Sequence, residues 1–290
     1  MAARRTGQVR VYSGDARHLP QLGDGSVALV VTSPPYPMIP QWDELFRAQG
    51  ARDYLAMHRL LEAAWAECHR VLLPGGILAV VIGDALRSEQ GRFRLWPNHA
   101  ETLRAAGRVG FDALPYLLWK KPTNKPNAFL GSGFLPPNAY VTLDCEFILL
   151  FRNGGLRRFS PHDRRRYASR FSRGERDRWF SQLWTDVRGA PQRRPGGRSG
   201  AFPPAIPDRL VRMFSVVGDT VLDPFAGTGT TLWAAARLGR LAVGIEWDPV
   251  VFEELRSEAR SRGWSPESPA VPEATAGAGS GGPPPPRRRS

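Results

Sequence analysis

Val221-Leu-Asp-Pro-Phe-Ala-Gly-Thr-Gly-Thr-Thr231 is the stretch on which the reading of this 290-residue chain turns. An apolar run ends on Asp223; a proline and two glycines follow, and a helical pattern opens at Thr230. Glycines let a backbone turn tightly and approach a ligand, and a helix start offers free N–H groups. No lysine follows the second glycine, which argues against a triphosphate-binding Walker A loop. A dinucleotide fingerprint needs a third glycine three residues after the second, and Leu232 stands there. A plain structural turn stays open on these residues alone. Glu246 closes the next apolar run, LAVGIE, 17 residues after Gly229. In an α/β sheet, a carboxylate at such a strand end sits beside a bound ribose. Two acids and a glycine-rich turn on adjacent strand ends make a nucleoside pocket.

Working outward, seven short runs read as strands: Val9–Tyr12, Ala28–Val31, Ile77–Ile82, Leu114–Leu118, Phe147–Phe151, Thr220–Leu222 and Leu241–Ile245. Several are continuously apolar, as strands covered on both faces are. Helical spacing lies between them. Met57, Leu61, Ala64, Cys68, Val71 and Leu72 recur on one face of the stretch from Asp53 to Leu72. Pro74-Gly75-Gly76 is expected to stop that helix. Thr230–Leu238 closes at Gly239, and Asp248 caps a helix over Pro249–Ser261. Alternating strands and helices predict a doubly wound, mostly parallel α/β layer.

Two regions break the pattern. Residues from about Lys120 to Gly200 are rich in Pro, Gly, Asn and Arg and hold one clear strand. Within them, Arg152–Arg178 carries ten arginines against Asp163, Glu175 and Asp177. The stretch from Ser265 onward cannot bury apolar surface and reads as disordered. The expected organisation is one domain over residues 1–262, an insert at about 120–200, and a Pro/Gly/Arg tail over 263–290.

Net charge is +13, with 37 Arg against 3 Lys. Such a surplus points to a polyanion, since each cation on a phosphate releases counterions. A GC-rich genome also inflates arginine, and charge does not separate DNA from RNA. Cys68 and Cys145 form no metal-ligand spacing, which argues for a reducing cytoplasm and against structural zinc. No run reaches the ~20 apolar residues of a membrane span.

After the run ALVV comes Thr32-Ser33-Pro34-Pro35-Tyr36. Two prolines fix φ and remove two donors, leaving rigid carbonyl acceptors. That suits an exocyclic base amino group, whose delocalised lone pair is a poor nucleophile. Hydrogen bonds from its N–H groups to the Ser33 hydroxyl and the Pro34 carbonyl would pull the nitrogen towards tetrahedral geometry. Tyr36 offers a flat face to a base flipped out of a duplex. Catalysis of this kind is mainly positioning. An ordinary Pro-Pro turn after a strand is the competing reading.

TSPPY, followed much later by DPFAGTGTT, resembles the amino-methyltransferases of bacterial restriction-modification systems, in the permuted β class. The likeness covers about residues 8–262 and includes SGDA (Ser13–Ala16), RVLLPGGILAVVIGD (Arg70–Asp84), LLWKK (Leu117–Lys121), CEFILLFRN (Cys145–Asn153) and FPPAIPDRLVRMFS (Phe202–Ser215). It implies a Rossmann-like, seven-stranded, circularly permuted methyltransferase fold with an inserted target-recognition region, and S-adenosyl-L-methionine as cofactor. Thr32, Asp223, Pro224, Phe225, Gly227, Thr228, Gly229 and Thr230 would hold the methionine part, and Glu246 the ribose. Asp15 would lie near the adenine amino group, although a surface turn explains it equally. Phe202–Pro204 would open a helix near the methionine carboxylate.

In that family, Ser before Pro-Pro-Tyr is typical of N4-cytosine enzymes, and Asp or Asn of N6-adenine enzymes. Ser33, Pro34, Pro35 and Tyr36 therefore imply N4-cytosine methylation in double-stranded DNA. The alternatives are N6-adenine methylation, an RNA methyltransferase, and a non-catalytic DNA-binding module. C5-cytosine chemistry needs a cysteine after a proline, whereas Cys68 follows Glu67 and Cys145 follows Asp144. Lys120, Lys121, Arg164, Arg165, Arg166 and Arg170 are the candidate DNA contacts, each open to phosphate neutralisation or guanine readout. The resemblance also allows a homodimer and a cognate restriction endonuclease. No metal and no membrane partner are expected, and DNA binding implies association with the nucleoid.

Overall fold

The computed structural model describes residues 8–121, 141–189 and 202–264. Among these residues there are ten strands: β1 (Val9–Ser13), β2 (Val27–Thr32), β3 (Leu72–Ile82), β4 (Ala85–Glu89), β5 (Arg92–Trp96), β6 (Asp112–Lys120), β7 (Cys145–Arg152), β8 (Leu183–Trp184), β9 (Thr220–Asp223) and β10 (Leu241–Glu246). The helices are α1 (Asp43–Ala48), α2 (Tyr54–Val71), α3 (Asn98–Val109), α4 (Arg164–Ala168), α5 (Arg173–Trp179), α6 (Ala205–Phe214), α7 (Thr230–Arg237) and α8 (Pro249–Ser261).

Eight strands form one sheet in the order β1-β10-β9-β2-β3-β7-β6-β8. The five from β1 to β3 are mutually parallel, and β7 runs antiparallel between β3 and β6. The apolar runs follow from burial on both faces, because successive side chains point to opposite sides. Val11, Leu29, Val31 and Val81 pack with Leu210 of α6, Leu232 of α7 and Leu255 of α8. Val30, Leu78, Val80 and Ile82 pack on the other side with Leu61 and Trp65 of α2 and Ala105 of α3. The sheet is thus wound on both faces, as the sequence predicts.

All seven predicted strands are there. Among the strands, two features were not legible: the short strand β8, and a separate two-stranded hairpin of β4 and β5. The helix from Asp53 ends differently from expectation. Its backbone is already extended at Leu72, and Pro74-Gly75-Gly76 lies inside β3. Gly75 N–H donates to the Asn153 carbonyl at 2.7 Å, so this segment serves the approach of the chain leaving β7. The predicted insert contributes β7 to the central sheet. Its residues 122–140 and 190–201, and the tail from 265, lie outside the described residues.

Connections from β2 lead through α2 to β3 on one side, and those from β9 lead through α7 to β10 on the other. The two strands are neighbours, with Leu29 opposite Val221 and Val30 opposite Leu222. Where the winding reverses between adjacent parallel strands, a crevice opens beyond their carboxyl ends.

Candidate active site

The two motifs met in the sequence open into that crevice together. Thr32 and Asp223 end β2 and β9, and Thr32 Oγ1 donates to Asp223 Oδ1 at 2.7 Å. A cavity of about 620 Å³ lies beyond them, lined by Ser33, Pro35, Asp223, Phe225, Gly227 and Glu246 among others. Pro224, Thr228 and Thr230 also face it, as does Asp15. Thr32 sits fully buried beneath, and Gly229 turns into α7 with φ +81°. A Cβ on Gly229 would fall 2.5 Å from Trp233 Cζ2.

Asp223 is buried and also accepts from the Phe225 N–H at 3.1 Å. Burial pushes its carboxyl up to about 6, against the hydrogen bonds from Thr32, Thr231 and Phe225. A buried anion that is only partly compensated is a natural partner for a ligand cation. Glu246 accepts from Gly227 N–H and Asp248 N–H, each at 2.9 Å, and burial raises its carboxyl too. Those two bonds leave lone pairs on both oxygens for hydroxyl donors. Asp15 is engaged by the Arg17 guanidinium, with Nε 2.9 Å from Oδ1; burial would raise its carboxyl, and Arg17 brings it below the usual range. Phe202 reaches the cavity from just before α6.

At the turn after β2, Ser33 Oγ lies 3.1 Å from the Tyr36 hydroxyl, which lies 3.1 Å from Glu146 Oε2. Lys121 Nζ is ion-paired with Glu146 Oε1. Glu146 was missed in the sequence. It is the acid near the start of the apolar strand β7, which runs antiparallel and so begins at the catalytic end. The apolar wall formed by Trp42, Leu45 and Phe46 was missed as well.

The candidate DNA contacts do not gather here. Lys121 is spent on Glu146, and Lys120 lies 3.6 Å from Asp144. Arg164, Arg165, Arg166 and Arg170 belong to α4 and its exit. Ser169 Oγ accepts from Val217 N–H at 2.8 Å, and nearby Arg157 pairs with Asp219 at 2.7 Å. Val217 and Asp219 precede β9, so α4 is anchored at the amino ends of the parallel strands, across the sheet from the cavity. Arg165 is paired with Asp163, and Arg166 lies 4.9 Å from the Phe159 ring.

Among the described residues, no group of three His, Cys, Asp or Glu side chains could hold a metal, and no helix is long and apolar enough to cross a membrane. Residues 27–256 match the N6/N4 methyltransferase family model, described as DNA methylase. The chain is 50% identical over 275 residues to type II methyltransferase M.MjaI of Methanocaldococcus jannaschii, covering 85% of this chain and 90% of that one. It is 44% identical over 258 residues to M.MthZI of Methanothermobacter thermautotrophicus, covering 82% and 73%. The Thermus thermophilus protein TTHA0409, solved in complex with S-adenosyl-L-methionine, superposes with a TM-score of 0.73 at 39% identity, covering 89% and 98%. The family match spans most of the chain, and the cavity is lined by the buried carboxyl of Asp223, the carboxyl of Glu246 and the glycine turn between them. The chain belongs to the N6/N4 family of DNA methylases and is an S-adenosyl-L-methionine-dependent DNA methyltransferase.

Proposed function

We propose that the chain methylates the N4 amino group of cytosine in duplex DNA, with the base flipped into the crevice. The observation that carries this reading is that Ser33 and Pro35 border the same cavity as Asp223, Gly227 and Glu246. Bound there, S-adenosyl-L-methionine supplies an electrophilic methyl carbon on a sulfonium. Asp223 faces its amino group, Glu246 takes the ribose hydroxyls, and the loop from Phe225 to Thr230 holds the methionine part. The Ser33 hydroxyl and Pro34 carbonyl accept the two N–H groups of the base and turn its nitrogen lone pair towards the methyl carbon. The Tyr36 ring stacks on the base, which favours the extruded state.

Serine at position 33 supports cytosine over adenine. The arginines of α4, anchored at the opposite end of the sheet from the cavity, are poorly placed for base readout at this site. The deciding experiment is labelled methyl transfer to unmethylated DNA, followed by mass spectrometry of the nucleosides. N4-methylcytosine is expected; N6-methyladenine would overturn the base assignment and leave the rest standing.

A further inference from the structure

The Ser33 hydroxyl is the first member of a chain that ends on an ion pair. Ser33, Tyr36, Glu146 and Lys121 are linked in that order, across the turn after β2, the start of β7 and the end of β6. The Glu146 side chain is only 13% exposed. The slot is tight: a Cβ on Gly83 would lie 3.1 Å from Tyr36 Cε2 and 3.3 Å from Glu146 Cγ.

The direction of each hydrogen bond follows from the groups involved. A carboxylate paired with an ammonium carries no proton and only accepts. Tyr36 therefore donates to Glu146. Its oxygen is left to accept, so the Ser33 proton points to Tyr36. Burial, with the Glu146 charge next to it, holds the Tyr36 phenol well above its ordinary 10, so the donor keeps its proton.

We propose that Glu146, backed by Lys121, fixes the polarity of the Ser33 hydroxyl, so that its lone pairs face the cavity and the site accepts amino groups while refusing carbonyls. Cytosine N4 and adenine N6 are donors, whereas thymine O4 and guanine O6 are acceptors. A freely rotating serine would bind either kind of edge; a locked one discriminates. Glu146 and Lys121 are thus positioning residues that determine base specificity. The proposal rests on the reading of Ser33 as the acceptor for the base amino group.

The test is a mutant cycle read by single-turnover methyl transfer from labelled S-adenosyl-L-methionine to unmethylated phage DNA, with cofactor affinity measured by calorimetry. Tyr36→Phe and Glu146→Gln should each slow the methyl step about ten- to a hundredfold, the worth of one misdirected hydrogen bond, at unchanged cofactor affinity. In a Ser33→Ala background, Glu146→Gln should slow it no further, because no hydroxyl remains to be oriented. Multiplication of the Glu146→Gln and Ser33→Ala effects would overturn the lock, as would a wild-type rate for Glu146→Gln. If Glu146→Gln does not fold, Lys121→Met alone and in the Ser33→Ala background supplies the same cycle. Nucleoside mass spectrometry on the same reactions keeps the two ideas apart. A product not methylated on a base amino nitrogen sinks the role of Ser33; an amino-methylated product with a multiplicative cycle sinks only the lock.

Discussion

Thr32 and Asp223 stand 191 positions apart in the chain and 2.7 Å apart in the fold, joined by a hydrogen bond from a hydroxyl to a buried carboxylate. That bond ties the end of β2 to the end of β9 at the mouth of the cavity. A hydrogen bond to a charged group contributes about 1.5–3 kcal/mol. Thr32→Val keeps the shape and removes the donor, so the Asp223 carboxyl should rise further. Calorimetry at neutral pH should show cofactor binding weakened several-fold. Unchanged affinity would mean the bond is structural only.

Asp223 also predicts a pH dependence. Its carboxyl lies at about 6 in the folded protein against an ordinary 3.8. The folded state holds the extra proton between those values, so this group's favourable contribution is complete below 3.8 and lost as pH rises through 6. Burying the ionised form costs about 3 kcal/mol at neutral pH. A cofactor ammonium selects the ionised form. Affinity should therefore rise with pH, by up to about tenfold per unit below 6, and level off above. Glu246, raised in the same direction, adds to the slope. Asp223→Asn should bind weakly, with a much flatter profile, while raising thermal stability at pH 8. A profile as steep in Asp223→Asn as in the wild type would assign the proton elsewhere.

Gly229→Ala tests the loop. The position has φ +81°, which costs a non-glycine residue roughly 1–2 kcal/mol. The added methyl also meets Trp233, whose indole is held by a 2.9 Å bond to the Thr228 carbonyl and a stack on Trp264. Relaxation is blocked on both sides, so overpacking adds about 1–3 kcal/mol. Denaturant unfolding should show stability lowered by about 2–5 kcal/mol in total. A change under half of that would mean the tryptophan pair moves freely.

What the sequence made legible was local. Apolar runs gave the strands because both faces are covered, and Asp223 and Glu246 announced themselves as acids closing such runs. Glu146 did not, since nothing local says that β7 runs antiparallel and starts at the catalytic end. The place of the basic stretch in the fold was hidden for the same reason. Arginine count reports charge, but the Ser169–Val217 bond and the Arg157–Asp219 pair decide which end of the sheet α4 occupies. The hairpin of β4 and β5 was hidden because Arg87-Ser-Glu-Gln-Gly-Arg-Phe-Arg94 is polar and short, and its pairing is set by one tight turn.

That hairpin yields the last prediction, on where DNA is gripped. It follows β3 directly and so leaves the sheet at the catalytic end. Arg87 is committed to Asp43, and Arg94 to Glu89 and the Trp96 ring. Arg92, beside the turn, is exposed and has no ion pair among the described residues. A cation placed on a phosphate contributes about 0.9 to the slope of log affinity against log salt. Arg92→Ala should lower that slope by about one contact, measured by fluorescence anisotropy on duplex DNA. The triple change Arg164→Ala, Arg166→Ala, Arg170→Ala removes three times the charge from the far end of the sheet. It should lower the slope by less than the single change does. A triple variant that loses about three contacts would put α4 on the DNA and move the binding face away from the crevice.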